Sequence, residues 1–202
     1  MEQQGSEQVT TPTTPLRCEK VSLRISRDQL SAFFPMLQRG VTVLAEVGRP
    51  LRSLLCGQFA IPEEYVMERI TTIFLDNRPV DDLDGSLIHE GSRVTLSAAM
   101  PGLVGATMRR SGFYATLRQG ITHAEKGGDF STGPGTVRLK LFNLLLPELG
   151  PLVLARGILL DRDELDRLFG NLDAASRIGV ATSYPCERGA CGGILVRVSI
   201  RE

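Results

Sequence analysis

The chain has 202 residues, with 23 Lys and Arg balancing 23 Asp and Glu to a formal net charge of zero. That length allows one or two domains with a sizeable core, and an ordinary apolar content excludes disorder as the dominant state. Balanced charge gives neither nucleic acid nor an anionic membrane an electrostatic reason to bind.

The opening Met1-Glu-Gln-Gln-Gly-Ser6 has neither the basic nor the apolar region of a signal peptide, and no apolar run approaches the ~20 residues of a membrane span. Four cysteines and no tryptophan fit reduced thiols in a cytoplasmic protein better than a disulfide framework. Residues 1–16 are polar with Thr-Pro pairs and are expected to form a flexible tail. Val21 to Ile25 alternates apolar and polar, as a half-buried strand does. Asp28 to Leu37 reads as a helical turn or loop interrupted by Pro35. Val41 to Val47 is a second, β-branched strand closed by Gly48.

Leu51, Leu54, Leu55 and Phe59 share one face of a predicted helix. Pro62-Glu63-Glu64 opens another, with proline and acids where a first turn favours them. Thr71 to Leu75 is a predicted strand, Asp76 to Pro79 a turn, and Ser92 to Ala98 a further strand. Glycines then recur from Gly102 to Gly135, a texture that predicts a connector with one strand at Gly112 to Leu117 and a loop after His123. Thr136 to Phe142 alternates cleanly, and Leu152 to Leu160 reads as a buried strand. Asp161 and Glu164 have capping-box spacing ahead of a helix burying Leu165, Leu168, Phe169 and Leu172. Gly193 to Ile200 is the last predicted strand.

The order strand, strand, helix, strand, turn, strand over residues 20–100 resembles a β-grasp (ubiquitin-like) domain of the ThiS/MoaD sulfur-carrier type. The residues that carry the resemblance are Val41 to Val47 running into Leu51 to Phe59, then Thr72-Ile-Phe-Leu-Asp-Asn-Arg-Pro-Val80. They continue in Leu87-Ile-His-Glu-Gly91-Ser-Arg-Val-Thr-Leu96, and Ala98 to Gly105 stands where that family keeps its tail. Such carriers act through a free C-terminal Gly-Gly. Here Gly102 and Gly105 are separated by Leu103 and Val104 and a long chain follows, so carrier activity would require proteolytic release. A second, shorter stretch, Tyr184-Pro-Cys186-Glu-Arg-Gly-Ala-Cys191-Gly-Gly193, resembles the cluster loop of plant-type [2Fe–2S] ferredoxins. Cys186 and Cys191 match the first two ligand positions, but Ile194 occupies the third. The pair therefore implies at most a metal or redox thiol site, against a plainer reading as a tight turn with small apolar fillers.

Gly102, Gly105, Arg109 and Arg110 form a candidate anion site, since backbone N–H groups of a glycine-rich segment followed by cations suit a phosphate. Neither a Walker loop nor a dinucleotide fingerprint is present. Asp76, Asp81, Asp82 and Asp84 are carboxylates close enough in sequence for a divalent cation, yet their spacing suits turn geometry better. His89 and His123 are expected as surface residues. No nucleophile elbow or His-Glu-x-x-His occurs.

The expectation is an α+β protein: a tail over 1–16, a β-grasp-like domain over 17–105, a glycine-rich connector over 106–135 and a smaller α+β unit over 136–202, with a sheet in each half. Its leading function is a non-enzymatic interaction or scaffold protein without cofactor, accessory to sulfur or cofactor metabolism by fold analogy. A protein partner or homodimer is expected. The alternatives are a thiol- or metal-dependent redox protein using Cys186 and Cys191, and a sulfur carrier released by proteolysis.

Overall fold

The computed structural model describes residues 17–118, 120–125, 131–172, 182–185 and 193–201. Strand β1 (Arg17–Ile25) leads through a 3₁₀ turn (Arg27–Phe33) into helix α1 (Phe34–Arg39) and strand β2 (Val41–Val47). Pro35 lies in the first turn of α1, where its missing N–H costs nothing, so it starts the helix instead of interrupting one. After the short β3 (Arg49–Pro50), the predicted helix appears with a π-helical turn at Ser53–Gln58, followed by α2 (Glu63–Glu68). Strands β4 (Thr72–Leu75) and β5 (Arg78–Pro79) form a hairpin. Asp76 and Asn77 are its two central residues, both at positive φ, the geometry that suits a tight hairpin. Strands β6 (Leu87–Ile88) and β7 (Arg93–Ser97) follow.

The glycine-rich stretch holds helix α3 (Gly102–Met108) and a 3₁₀ turn (Phe113–Arg118), not the strand expected at Gly112 to Leu117. Next come β8 (Gly133–Phe142), α4 (Leu145–Arg156), β9 (Ile158–Leu160), α5 (Arg162–Gly170), β10 (Thr182–Pro185) and β11 (Ile194–Ile200). Most of the expected strand Leu152 to Leu160 is the end of α4. Short apolar runs on either side of Arg156 carry no period to separate a buried helix from a strand, and Gly157, at φ +117°, marks the change between them. The capping box of α5 forms as expected: Asp161 Oδ1 accepts from the Glu164 N–H at 2.7 Å, and Glu164 Oε2 accepts from the Asp161 N–H at 3.2 Å.

The larger of two sheets among the described residues is a mixed, nine-stranded one in the order β10-β1-β11-β9-β2-β8-β7-β4-β5. It replaces the separate sheets expected in each half. β8 lies between β2, to which it is antiparallel, and β7, to which it is parallel. β11 lies parallel to β1 and antiparallel to β9. Alternate strand residues, such as Val41, Val43 and Ala45 of β2, point into one continuous core with Phe33, Leu37, Leu51, Leu54, Leu149 and Val153 from the helical segments. The other face keeps polar residues open to solvent, among them Glu46, Arg138, Arg93, Ser22, Arg24 and Arg197.

Candidate interaction surface

Leaving β7, the chain makes a strap that crosses the loops around Pro79 to His89, and its local chemistry explains its path. Gly102 enters α3 at φ +77°. Gly105 lies so close to the preceding turn that a Cβ there would stand 1.9 Å from the Met100 carbonyl oxygen, so no side chain fits. Arg110 turns inward: its N–H donates to the Thr71 carbonyl at 2.7 Å, and its guanidinium donates to the Val66 carbonyl at 2.6 Å, at the C-terminal end of α2. Burial lowers the Arg110 pKa, and its second terminal nitrogen is buried without a partner.

Arg118 is the central anchor. Its residue is only 3% exposed, and its two terminal nitrogens hold both oxygens of Asp81 at 2.9 and 2.6 Å. Its Nε donates to the Thr107 carbonyl at 2.7 Å, which ties the 3₁₀ turn to α3. Downstream, the His123 N–H donates to the Pro79 carbonyl at 2.8 Å and the His123 Nδ1 sits 3.2 Å from Ser86 Oγ. Glu125 receives the Leu87 N–H at 3.1 Å and pairs with His89 Nε2 at 3.0 Å. Both histidines, expected as surface residues, are thus half-buried fasteners between strap and loop.

While Arg110 and Arg118 face inward, the strap turns apolar groups outward. Phe113 is 90% exposed, Leu117 74%, Leu103 72% and Val104 64%, and Ile121 is exposed as well. Phe113 also meets Tyr114 edge to face, with ring centroids 5.1 Å apart. Five large apolar side chains, Leu103, Val104, Phe113, Leu117 and Ile121, are thereby left exposed on this one stretch of chain, more than the scattered single exposures ordinary for a surface.

The residues singled out from sequence fall as follows. Gly102, Gly105 and Arg109 line one shallow pocket of about 340 Å³ with Thr71, Ala98, Ala99, Met100 and Ala106. Arg110 does not join them; it is spent on backbone carbonyls. The four aspartates do not converge on a common point. Asp76 accepts from Ser92 Oγ and the Arg93 N–H, and Asp81 holds Arg118. Asp82 closes its own turn through the Asp84 and Gly85 N–H groups, and Asp84 pairs with Arg52. Among the described residues no three His, Cys, Asp or Glu side chains stand close enough to hold a metal ion. Cys186 and Cys191 lie outside the described residues. Cys56 is half-buried, and burial pushes its thiol pKa up, away from the reactive range. No helix among the described residues is long and apolar enough to cross a membrane.

Sequence reasoning missed the apolar surface itself. Leu103, Val104, Phe113 and Leu117 carry no signal of exposure, because nothing in a short apolar spacing says which side of it faces water. No protein-family model matches the chain, and no curated protein or solved structure matches it.

Proposed function

We propose that the protein is a non-enzymatic interaction protein that docks a protein partner through the strap of residues 102–121. The observation that carries this is the combination of exposure and anchorage. Burying a large apolar side chain is worth about 1.5–3 kcal/mol relative to leaving it in water, and this segment leaves at least four in water while its arginines fix it to the body. A preordered apolar platform loses little entropy on binding, which is what a docking surface needs.

The sheet supports a scaffold of the β-grasp type. A β-grasp sheet sets its first and last strands parallel at the centre, with the second strand outside the first. β8 and β7 have that relation, and β2 flanks β8, so β8 would take the place of the first strand although it follows β2 and β7 in sequence. Fold analogy makes sulfur or cofactor metabolism the setting for the partner.

The test is photo-crosslinking in cells, with benzoylphenylalanine replacing Phe113 in the full chain. A discrete adduct is expected, with a second copy or another protein, and it should vanish when Leu103 and Leu117 are both changed to Asp. An adduct yield no greater than that from the same probe at exposed Arg24 would sink the reading.

A further inference from the structure

The nine-stranded sheet has a notch. β9 pairs with β11 through Ile158, Leu159 and Leu160, but it meets β2 only at Thr42, opposite Leu159. Before Ile158 the chain leaves the sheet plane at Gly157 and becomes the end of α4. β2 therefore runs on past Thr42 without a strand on that side. Alternate residues of a strand send their backbone groups to the same side. The Glu46 N–H points into the notch, where Gln58 Oε1 accepts it at 3.1 Å. Leu44 lies between Thr42 and Glu46 in the same phase, so its N–H and C=O face the notch with no strand partner.

The notch has a volume of about 580 Å³, and Leu44, Glu46, Gln58, Phe59, Arg156 and Arg197 all line it. Three features define its chemistry. An open strand edge is a template for an added backbone. Because Gln58 Oε1 must face the Glu46 N–H, its Nε2 is a donor, and that nitrogen is buried without an acceptor. Two guanidinium groups, one of them 5.8 Å over the Phe59 ring, stand against the single carboxylate of Glu46. The site is rich in donors and cations and has an aromatic wall, so it calls for an anionic, extended ligand.

Its limits specify that ligand further. The open edge is closed at one end by Leu159 and at the other by Gln58. At about 3.3 Å per residue, it has room for a residue or two, and a strand running through would collide with both ends. A chain end needs only one way in. We propose that the notch captures the carboxy-terminal residues of an extended partner peptide. The penultimate backbone pairs with Leu44, and the terminal carboxylate accepts from Gln58 Nε2 and the guanidinium groups of Arg156 and Arg197. This site is separate from the apolar strap and does not depend on the function proposed for it.

The experiment uses the full chain and two pools of fluorescein-labelled octapeptides with randomised last four residues, one with a free carboxylate and one amidated, read by fluorescence polarisation. Saturable binding of the free-carboxylate pool is expected, weakened at least about tenfold by amidation, the usual weight of a charge-assisted hydrogen bond. Gln58→Glu keeps the acceptor for the Glu46 N–H and replaces the donor with an anion, and Arg197→Ala removes a cation from an exposed strand position. Each should lose about tenfold or more in affinity, Arg197→Ala at an unchanged melting temperature. Equal binding of the two pools, or selection of internal Asp and Glu from the amidated pool, would overturn the chain-end assignment. Failure of both pools to bind, or full affinity in both variants, would overturn the site.

Discussion

Arg118 and Arg110 are cations taken almost out of water, and each survives there for a different reason. Arg118 has a carboxylate, two carbonyls and the Thr122 hydroxyl oxygen as partners; Arg110 has carbonyls alone and one terminal nitrogen left over. Breaking a buried hydrogen-bonded ion pair costs more than the pair contributes, because the abandoned partners remain. Arg118→Met should therefore cost about 2–3 kcal/mol, a figure held down by the partial exposure of Asp81. The loss should appear first as faster amide hydrogen exchange over residues 107–123, with the sheet unaffected until global unfolding. Exchange in that segment unchanged from wild type would show that the strap is held by something else. None of this was legible in sequence. Arg109 and Arg110 are adjacent and chemically alike, yet one faces the solvent-open pocket and the other the helix end, a choice made by the path of the backbone from Thr71 to Gly112. Local chemistry was legible where partner and residue lie within one turn, as for Asp161 and Glu164.

Elements were readable where a period exists. β1, β2, β7, β8 and β11 fall on alternating stretches, and the helical segment with the π-helical turn Ser53–Gln58 falls where Leu51, Leu54, Leu55 and Phe59 are spaced as one helix face. The reading failed at Leu152 to Leu160, where apolar residues flank Arg156 and Gly157 without a period, and at Gly112 to Leu117, where short range supports strand and 3₁₀ turn alike. Contacts between elements were not readable at all, and the tie between α2 and α4 is one with a measurable signature. Glu148 of α4 accepts from the Tyr65 hydroxyl and from Arg69, at 2.5 Å, both carried on or just after α2. Those hydrogen bonds, from Tyr65 first and Arg69 second, hold the Glu148 carboxyl below its usual range, while burial and the bond to Glu148 push the Tyr65 phenol to about 12. A carboxylate with a depressed folded-state pKa contributes stability that is complete above its unfolded value of about 4.3 and is lost as the pH falls through the folded value. Thermal stability should accordingly decline from about pH 5 downward. Glu148→Gln should start lower at neutral pH and decline less steeply over the same range. Asp84, lowered by its bond to Arg52, accounts for part of the slope that remains. An acid limb of identical steepness in the two proteins would remove Glu148 from the account.

At the scale of the whole molecule, the order of strands in space departs from their order along the chain, and no local property of the sequence records that. β1 and β2 are successive strands, yet β11 and β9 stand between them, and β8 separates β2 from β7. Alternating apolar residues say that β8 needs a buried face and strand neighbours; they do not say which. The consequence is that the two halves of the chain complete each other. Without β8, the Val43 and Leu96 faces of β2 and β7 lose the strand that joins them; without β9 and β11, β1 has no link to β2. Such a sheet should unfold as one unit. A chain ending at Glu125 is expected to show no sharp thermal transition and to bind a hydrophobic dye. Co-expression with residues 126–202 should restore the transition and an equimolar complex, because the missing contacts are noncovalent and lie in the sheet centre. If residues 1–125 alone melted sharply and near the temperature of the full chain, the first half would carry its own core, and β8 would be an addition to a finished sheet and not the strand that joins β2 to β7.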